Sequence, residues 1–153
     1  MVFLFFGLLS VLGTFFLFAQ HLDALLLLPA SSVGFLSAAV LNLNNMRDLD
    51  SDRKSNKSTL AGYLGPKYAK VYHFILIILA ILSMLAFQFI MSFSTIIFIT
   101  WVAFIPMIAH LKSVYHITKP KSYDAHLKLV ALSTFLLSVL FALALIIQSH
   151  QAI

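Results

Sequence analysis

Asn44-Asn45-Met46-Arg47-Asp48-Leu49-Asp50-Ser51-Asp52-Arg53-Lys54, continued by Lys57-Ser58-Thr59-Leu60, holds three of the five carboxylates in the chain and four of its ten Lys and Arg residues. On a helix, Asn44, Asp48 and Asp52 fall at i, i+4 and i+8 on one face, and Asn45, Asp48 and Asp52 at i, i+3 and i+7 on nearly the same face. Asp50 points elsewhere. Carboxylates one turn apart repel each other, so the spacing asks for a cation between them. Two carboxylates with carboxamides beside them are hard oxygen donors, suited to Mg²⁺ shared with a phosphate-bearing substrate. Arg47, Arg53 and Lys57 could then hold the remaining phosphate oxygens. The plainer alternative is a solvated, basic connector after a membrane helix, and composition alone favours it. Such a connector has no reason to set carboxylates four residues apart beside two adjacent asparagines.

The elements that must position this stretch are membrane helices. Of 153 residues, 61% are hydrophobic and 10% charged, and the mean hydropathy is +1.01. That leaves too little polar surface to cover a soluble domain. The expected fold is all-α: a polytopic membrane helix bundle of about five transmembrane helices, forming a single membrane domain over 1–153. The apolar spans are 3–19, 24–44, 69–91, 95–111 and 126–147, each near the ~20 residues that cross ~30 Å of hydrocarbon. Gly62, Gly65 and Pro66 punctuate the chain before the third span, and Ser92 to Ser94 reads as a tight turn. Met1 to Ala19 lacks a basic start and a cleavage site, so it reads as a spanning helix, not a removable signal. No strand-period alternation of the outer-membrane barrel type is present, and the absence of cysteine excludes disulfides and thiol chemistry.

The basic residues lie in two loops. Arg47, Arg53, Lys54, Lys57, Lys67 and Lys70 fall between spans two and three, and Lys112, Lys119, Lys121 and Lys128 between or beside spans four and five. In a five-span topology both loops share one side, which the positive-inside rule makes cytoplasmic, together with the N-terminus. Membrane orientation, not nucleic acid, therefore accounts for the net charge of +5. Asn42, Asn44 and Asn45 are costly in lipid and should face the bundle interior or a cavity. His73, His110 and His126 read as separate packing or interfacial histidines with no metal spacing. Tyr63, Tyr68, Tyr72, Tyr115 and Tyr123 read as belt residues, and Asp124 as a helix N-cap.

The run Asn44-Asn45-x-Arg47-Asp48-x-x-x-Asp52-Arg53, then Lys57-x-Thr59-Leu60 and Leu64-Gly65, resembles the UbiA superfamily of intramembrane prenyltransferases. Its Asn-Asn-x-Arg-Asp form is most similar to the branch acting on 1,4-dihydroxy-2-naphthoate in menaquinone synthesis. Val2-Phe3-Leu4-Phe5-Phe6-Gly7, Leu12-Gly13-Thr14 and Asp124-x-x-Leu127-Lys128 resemble that branch too. The resemblance implies a nine-helix fold with two Asp-rich motifs, of which this chain matches the second motif and the last five helices. It implies that Asp48 and Asp52 bind Mg²⁺ and are catalytic, with Asn44 and Asn45 as supporting metal ligands, and that Arg47, Arg53 and Lys57 contact diphosphate. The implied substrates are a polyprenyl diphosphate and 1,4-dihydroxy-2-naphthoate, joined in the lipid bilayer of a bacterial inner membrane to give demethylmenaquinone. The first Asp-rich motif is missing, so the expectation is a C-terminal half that is inactive without a separate N-terminal half. The alternatives are a UbiA-type enzyme with another acceptor and a non-catalytic membrane remnant or transporter component. The Asp-Gly-x-x-Ala-Arg signature of CDP-alcohol phosphatidyltransferases is absent.

Overall fold

The computed structural model of the chain describes residues 1–91 and 95–151; the turn expected at Ser92 to Ser94 lies outside them. Among the described residues the regular elements are all helices, without strands. Helix α1 spans Phe3–Ala19, its first turns wound as a π-helix over Phe3–Leu9. A 3-10 turn at Ala24–Leu26, capped by Asp23 Oδ1 accepting from Leu25 N at 2.8 Å, leads into α2, Leu27–Arg47. The short α3 is Leu49–Lys54, α4 is Leu60–Ile90, α5 is Phe104–His116 and α6 is Tyr123–Gln151.

Four helical stretches are long and apolar enough to cross a membrane: Ala24–Arg47, Leu60–Ile90, Phe98–His116 and Pro120–Gln148. Phe3–Ala19 is shorter, reaching about 25 Å at 1.5 Å per residue against ~30 Å of hydrocarbon. The chain is an integral membrane protein: among the described residues four helices have full spanning length, and the first of the about five expected is this shorter apolar helix. Helix α4 also starts earlier than expected, at Leu60. Thr59 caps it, its Oγ1 accepting from Gly62 N at 3.1 Å. The Gly65-Pro66 punctuation survives as a kink inside this helix, where Gly65 takes φ 76°, a conformation glycine adopts without a Cβ penalty. The fourth expected span, 95–111, opens with a 3-10 stretch, Thr95–Ala103, ahead of α5. Its steeper rise of ~2.0 Å per residue helps a modest number of residues cover the bilayer.

Helix α2 is the hub. It packs most extensively on α4, then on α1 and α6. Leu36, Leu43 and Met46 of α2 meet Ile77 and Met84 of α4, Phe104 and Met107 of α5, and Val130 and Leu137 of α6 in one core. Two buried polar bonds fix α4 antiparallel to α2: Ser32 Oγ donates to Ala80 O at 2.9 Å, and Asn42 Nδ2 donates to Ala69 O at 2.9 Å. Helix α1 comes close enough to α2 that a Cβ on Gly7 would lie 2.5 Å from Gly34 Cα, the small-residue contact by which membrane helices pack backbone to backbone. Large apolar side chains such as Phe5, Phe18, Leu82, Phe89, Leu132 and Phe135 are exposed, as expected of helices solvated by lipid.

Candidate functional site

The Asp-rich stretch forms the end of α2, a bend and the short α3. Asp48 leaves helical geometry at φ −93°, ψ 6°. Asp48 N nonetheless donates to Asn44 O at 3.0 Å and Asp52 N to Asp48 O at 2.8 Å, so the four-residue register carries through the bend. Asn56 then ends α3 in the left-handed region, φ 53°. Asn56 N bonds Arg53 O, and Lys57 N bonds Asp52 O at 2.9 Å, the pairing of a Schellman C-cap with asparagine in the glycine position. This turn folds Lys57 back over its own helix, and its Nζ reaches Asp52 Oδ1 at 3.1 Å.

The two aspartates have different surroundings. Asp52 is buried, its Oδ1 held by Lys57 and its Oδ2 enclosed without a hydrogen-bond partner. Asp48 is half-buried and both of its oxygens accept from Arg47, Nε to Oδ1 at 2.8 Å and Nη2 to Oδ2 at 3.0 Å. Those hydrogen bonds hold the Asp48 carboxyl below the usual carboxylate range, against a smaller opposing effect of burial. Arg47 also donates to Asn44 Oδ1 at 2.7 Å and to Asp124 Oδ1 at 3.0 Å. Expected on phosphate, Arg47 thus lies on three oxygen-bearing side chains, because the nearest hard acceptors to its fork are its own neighbours. Arg53 and Asp50 are exposed.

Asn44 and Asn45 do not share a cavity. Asn44 is the polar end of an otherwise mostly apolar cavity of about 410 Å³ between α1, α2 and α6, with Phe6, Val40, Leu41, Leu127 and Ala131 among its walls. Asn45 and Asn42 line a separate cavity of about 200 Å³ toward Leu60 and Tyr72. Adjacent helical residues point about 100° apart, so one ligand set takes both only with rearrangement. Among the described residues, no three His, Cys, Asp or Glu side chains converge as a metal-holding group.

Sequence reasoning missed three features. Asp124 does not cap α6: it lies in the first turn, exposed, and ties α6 to Arg47. His73, His110 and His126, remote in sequence, come together between α4, α5 and α6. His73 Nε2 lies 3.0 Å from His110 Nε2, and the His110 and His126 rings are 5.6 Å apart. Close approach of two ring nitrogens is favourable when one carries the proton and the other offers its lone pair. The signal available was register: His73 and His110 occur on core-facing positions of their helices. Tyr123 also departs from the belt reading, being buried in the core, whereas Tyr63, Tyr68 and Tyr115 are exposed.

The sequence pattern of the UbiA prenyltransferase family matches residues 1–140. The chain belongs to that family. Among similar proteins, a 1,4-dihydroxy-2-naphthoate octaprenyltransferase of Haemophilus influenzae is 39% identical over 146 residues, covering 95% of this UbiA-family chain and 47% of the relative. The Escherichia coli protein of the same name is 48% identical over 77 residues, 50% of this chain and 25% of the relative. That of Mycobacterium leprae is 42% identical over 83 residues, 54% and 28% respectively. The chain spans at most about half the length of these curated relatives. No solved structure matches it.

Proposed function

We propose that this chain carries one Asp-rich site of a Mg²⁺-dependent prenyltransferase that moves a polyprenyl group from its diphosphate to 1,4-dihydroxy-2-naphthoate. The observation that carries the reading is an amphipathic cavity. The space between α1, α2 and α6 is lined mostly by apolar side chains, with the hydroxyls of Ser37 and Thr134 among them, and Asn44 leads from it through Arg47 to Asp48. A molecule with a diphosphate head and an isoprenoid tail has that same polarity. The names of the similar proteins supply the naphthoate acceptor, and the divalent metal common in this family suits the unpartnered, buried Asp52 Oδ2.

Asp48 and Asp52 would hold Mg²⁺, with Asn44 and, after the rearrangement that its separate cavity requires, Asn45 in support; the ion would supply charge neutralisation on departing pyrophosphate. Lys57 and Arg53 are the exposed cations beside Asp52 and would bind outer phosphate oxygens. Arg47 would trade its bonds to Asp48 for phosphate while Asp124 keeps hold of its other arm. These contacts strengthen as negative charge collects on the leaving oxygen, which is how they lower the barrier. The C1–O bond breaks, the allylic cation is attacked by the electron-rich ring, and the ring carboxylate leaves as CO₂ when the new C–C bond forms. Apolar walls such as Val40, Leu127 and Ala131 keep water from the cation. We place this site on the cytoplasmic face of a bacterial inner membrane, with the N-terminus on the same side, because both basic loops fall there.

The test is a membrane assay with a polyprenyl diphosphate, 1,4-dihydroxy-2-naphthoate and Mg²⁺. It is run with this chain alone and with a polypeptide supplying the rest of the length of its relatives. Prenylated naphthoquinol that disappears on Asp48→Ala supports the reading. Product formed at undiminished rate by Asp48→Ala would sink the site, and absence of naphthoate prenylation in every arm would sink the acceptor.

A further inference from the structure

A second polar cavity, of about 530 Å³, opens between the end of α5 and the start of α6. Its lining is Lys112, Ser113, His116, Ile117, Thr118, Lys119, Ser122 and His126: two lysines, two histidines, three hydroxyls and no carboxylate. Among the described residues, every ion pair uses Arg47 or Lys57, so neither lysine of this cavity has a protein counter-ion. The Nδ1 of His126 is buried without a hydrogen-bond partner. The cavity is distinct from the Asp-rich site. Asp124 and His126 are two residues apart on α6 and therefore point about 200° apart around the helix, the first toward Arg47 and the second into this cavity.

The architecture suits an anion. Like charges gathered in one concavity raise the local potential and concentrate counter-ions there. The opposing influence, the carbonyl end of α5, is muted: Lys70 of α4 donates to Tyr115 O at 2.9 Å and to Ile117 O at 2.6 Å. Those two bonds hold the loop beside Lys70, in the basic part of the bundle, and exposed Tyr115 adds an aromatic ring of the kind found at membrane interfaces. Basic pockets between membrane helices at this depth recognise phosphate headgroups.

We infer that this cavity is an anion site that takes a phosphate group at the membrane surface, separate from the Asp-rich site. The phosphate can come from an anionic phospholipid or from a soluble phosphate, and the test separates them. The full chain is purified in detergent and offered phosphatidylglycerol, phosphatidylcholine or inorganic pyrophosphate, with retained ligand counted by native mass spectrometry. The expected result is retention of phosphatidylglycerol over phosphatidylcholine, falling about fivefold for each lysine removed in Lys112→Gln and Lys119→Gln. Lys112→Arg with Lys119→Arg should retain it, which controls for folding. Arg53→Gln with Lys57→Gln, at the other site, should also retain it. Pyrophosphate binding lost with the same two lysines, without lipid preference, supports the site and assigns it a soluble ligand. Equal retention by the parent and the double Gln variant overturns the inference, as does failure of the parent to hold either phosphate.

Discussion

Replacing Asp52 by Asn changes one atom in a buried carboxyl group and separates chemistry from folding. Asp52 Oδ1 accepts from Lys57 Nζ at 3.1 Å, and Oδ2 is enclosed with no partner. In Asp52→Asn the amide oxygen keeps the Lys57 bond, which places NH₂ where Oδ2 stood. A buried acceptor with no protein partner becomes a donor, with no change of shape. The stability cost is small, because the amide oxygen keeps the bond to Lys57 and Lys57 is 58% exposed, so water can solvate its ammonium. Under the proposed function the catalytic cost is much larger. Losing one electrostatic contact to developing charge typically lowers kcat by about 10²–10³, and loss of a ligand charge also weakens the metal. Asp50→Asn, on an exposed side chain off the shared face, should stay within about twofold, as surface changes of ±0.5 kcal/mol do. The assay is naphthoate prenylation in membranes across a Mg²⁺ titration, beside thermal unfolding of each purified variant. Asp52→Asn turning over within about threefold of the parent, or Asp50→Asn falling as far as Asp52→Asn, would refute the assignment of roles by burial and face.

Asp124→Asn removes the charge that holds one arm of Arg47. With 58% of the Asp124 side chain exposed, unfolding should shift by no more than about 1 kcal/mol, while the KM for polyprenyl diphosphate changes more than kcat, as steady-state kinetics would show. Gly7→Ala puts a Cβ 2.5 Å from Gly34 Cα and 2.7 Å from Ala30 O; both are backbone, so α1 must move off α2, costing about 1–3 kcal/mol in a detergent-resistance or thermal assay. Asp48 has its pKa lowered by Arg47, so the ion pair's contribution is complete above the unfolded carboxylate value near 4. It is lost only as pH falls through the lower folded value. Stability from this pair should therefore be flat between about pH 5 and 8 and decline in acid, and Asp48→Asn should flatten that acid decline in a melting series.

The apolar spans, the basic loops and the Asp-rich register were legible because each is a local property: hydropathy over about 20 residues, charge per loop, and 3.6-residue periodicity. Legibility ended where distance in space departs from distance in sequence. Nothing near Asp124 announces that Arg47, 77 positions earlier, will claim its carboxylate, and an aspartate at the start of a helix reads as a cap on local grounds. The three histidines failed for the same reason, since only the packing of α4, α5 and α6 brings them together. Asn44 and Asn45 illustrate a different limit: their adjacency suggested cooperation, and the 100° step between neighbours sent them to separate cavities. The early start of α4 depended on Thr59 outweighing the Gly62 and Gly65-Pro66 signals, a competition that propensities alone do not decide.

The buried bonds between α2 and α4 act as an index. Moving ten residues up α2, from Ser32 to Asn42, corresponds to moving eleven residues down α4, from Ala80 to Ala69. Two such pegs at different heights forbid the helices to slide, because a one-turn slip of about 5.4 Å would withdraw both donors into hydrocarbon. The pair is a rigid frame, and piston-like transmission along it is blocked. Above this frame the backbone leaves helical geometry at Asp48, Asn56 and Gly65, so a change in the loop would fall on those joints and not on the helices. The carboxylates at issue ride on the segment between those joints, so their reach is set by a hinged span of fewer than twenty residues while the helices beneath stay still.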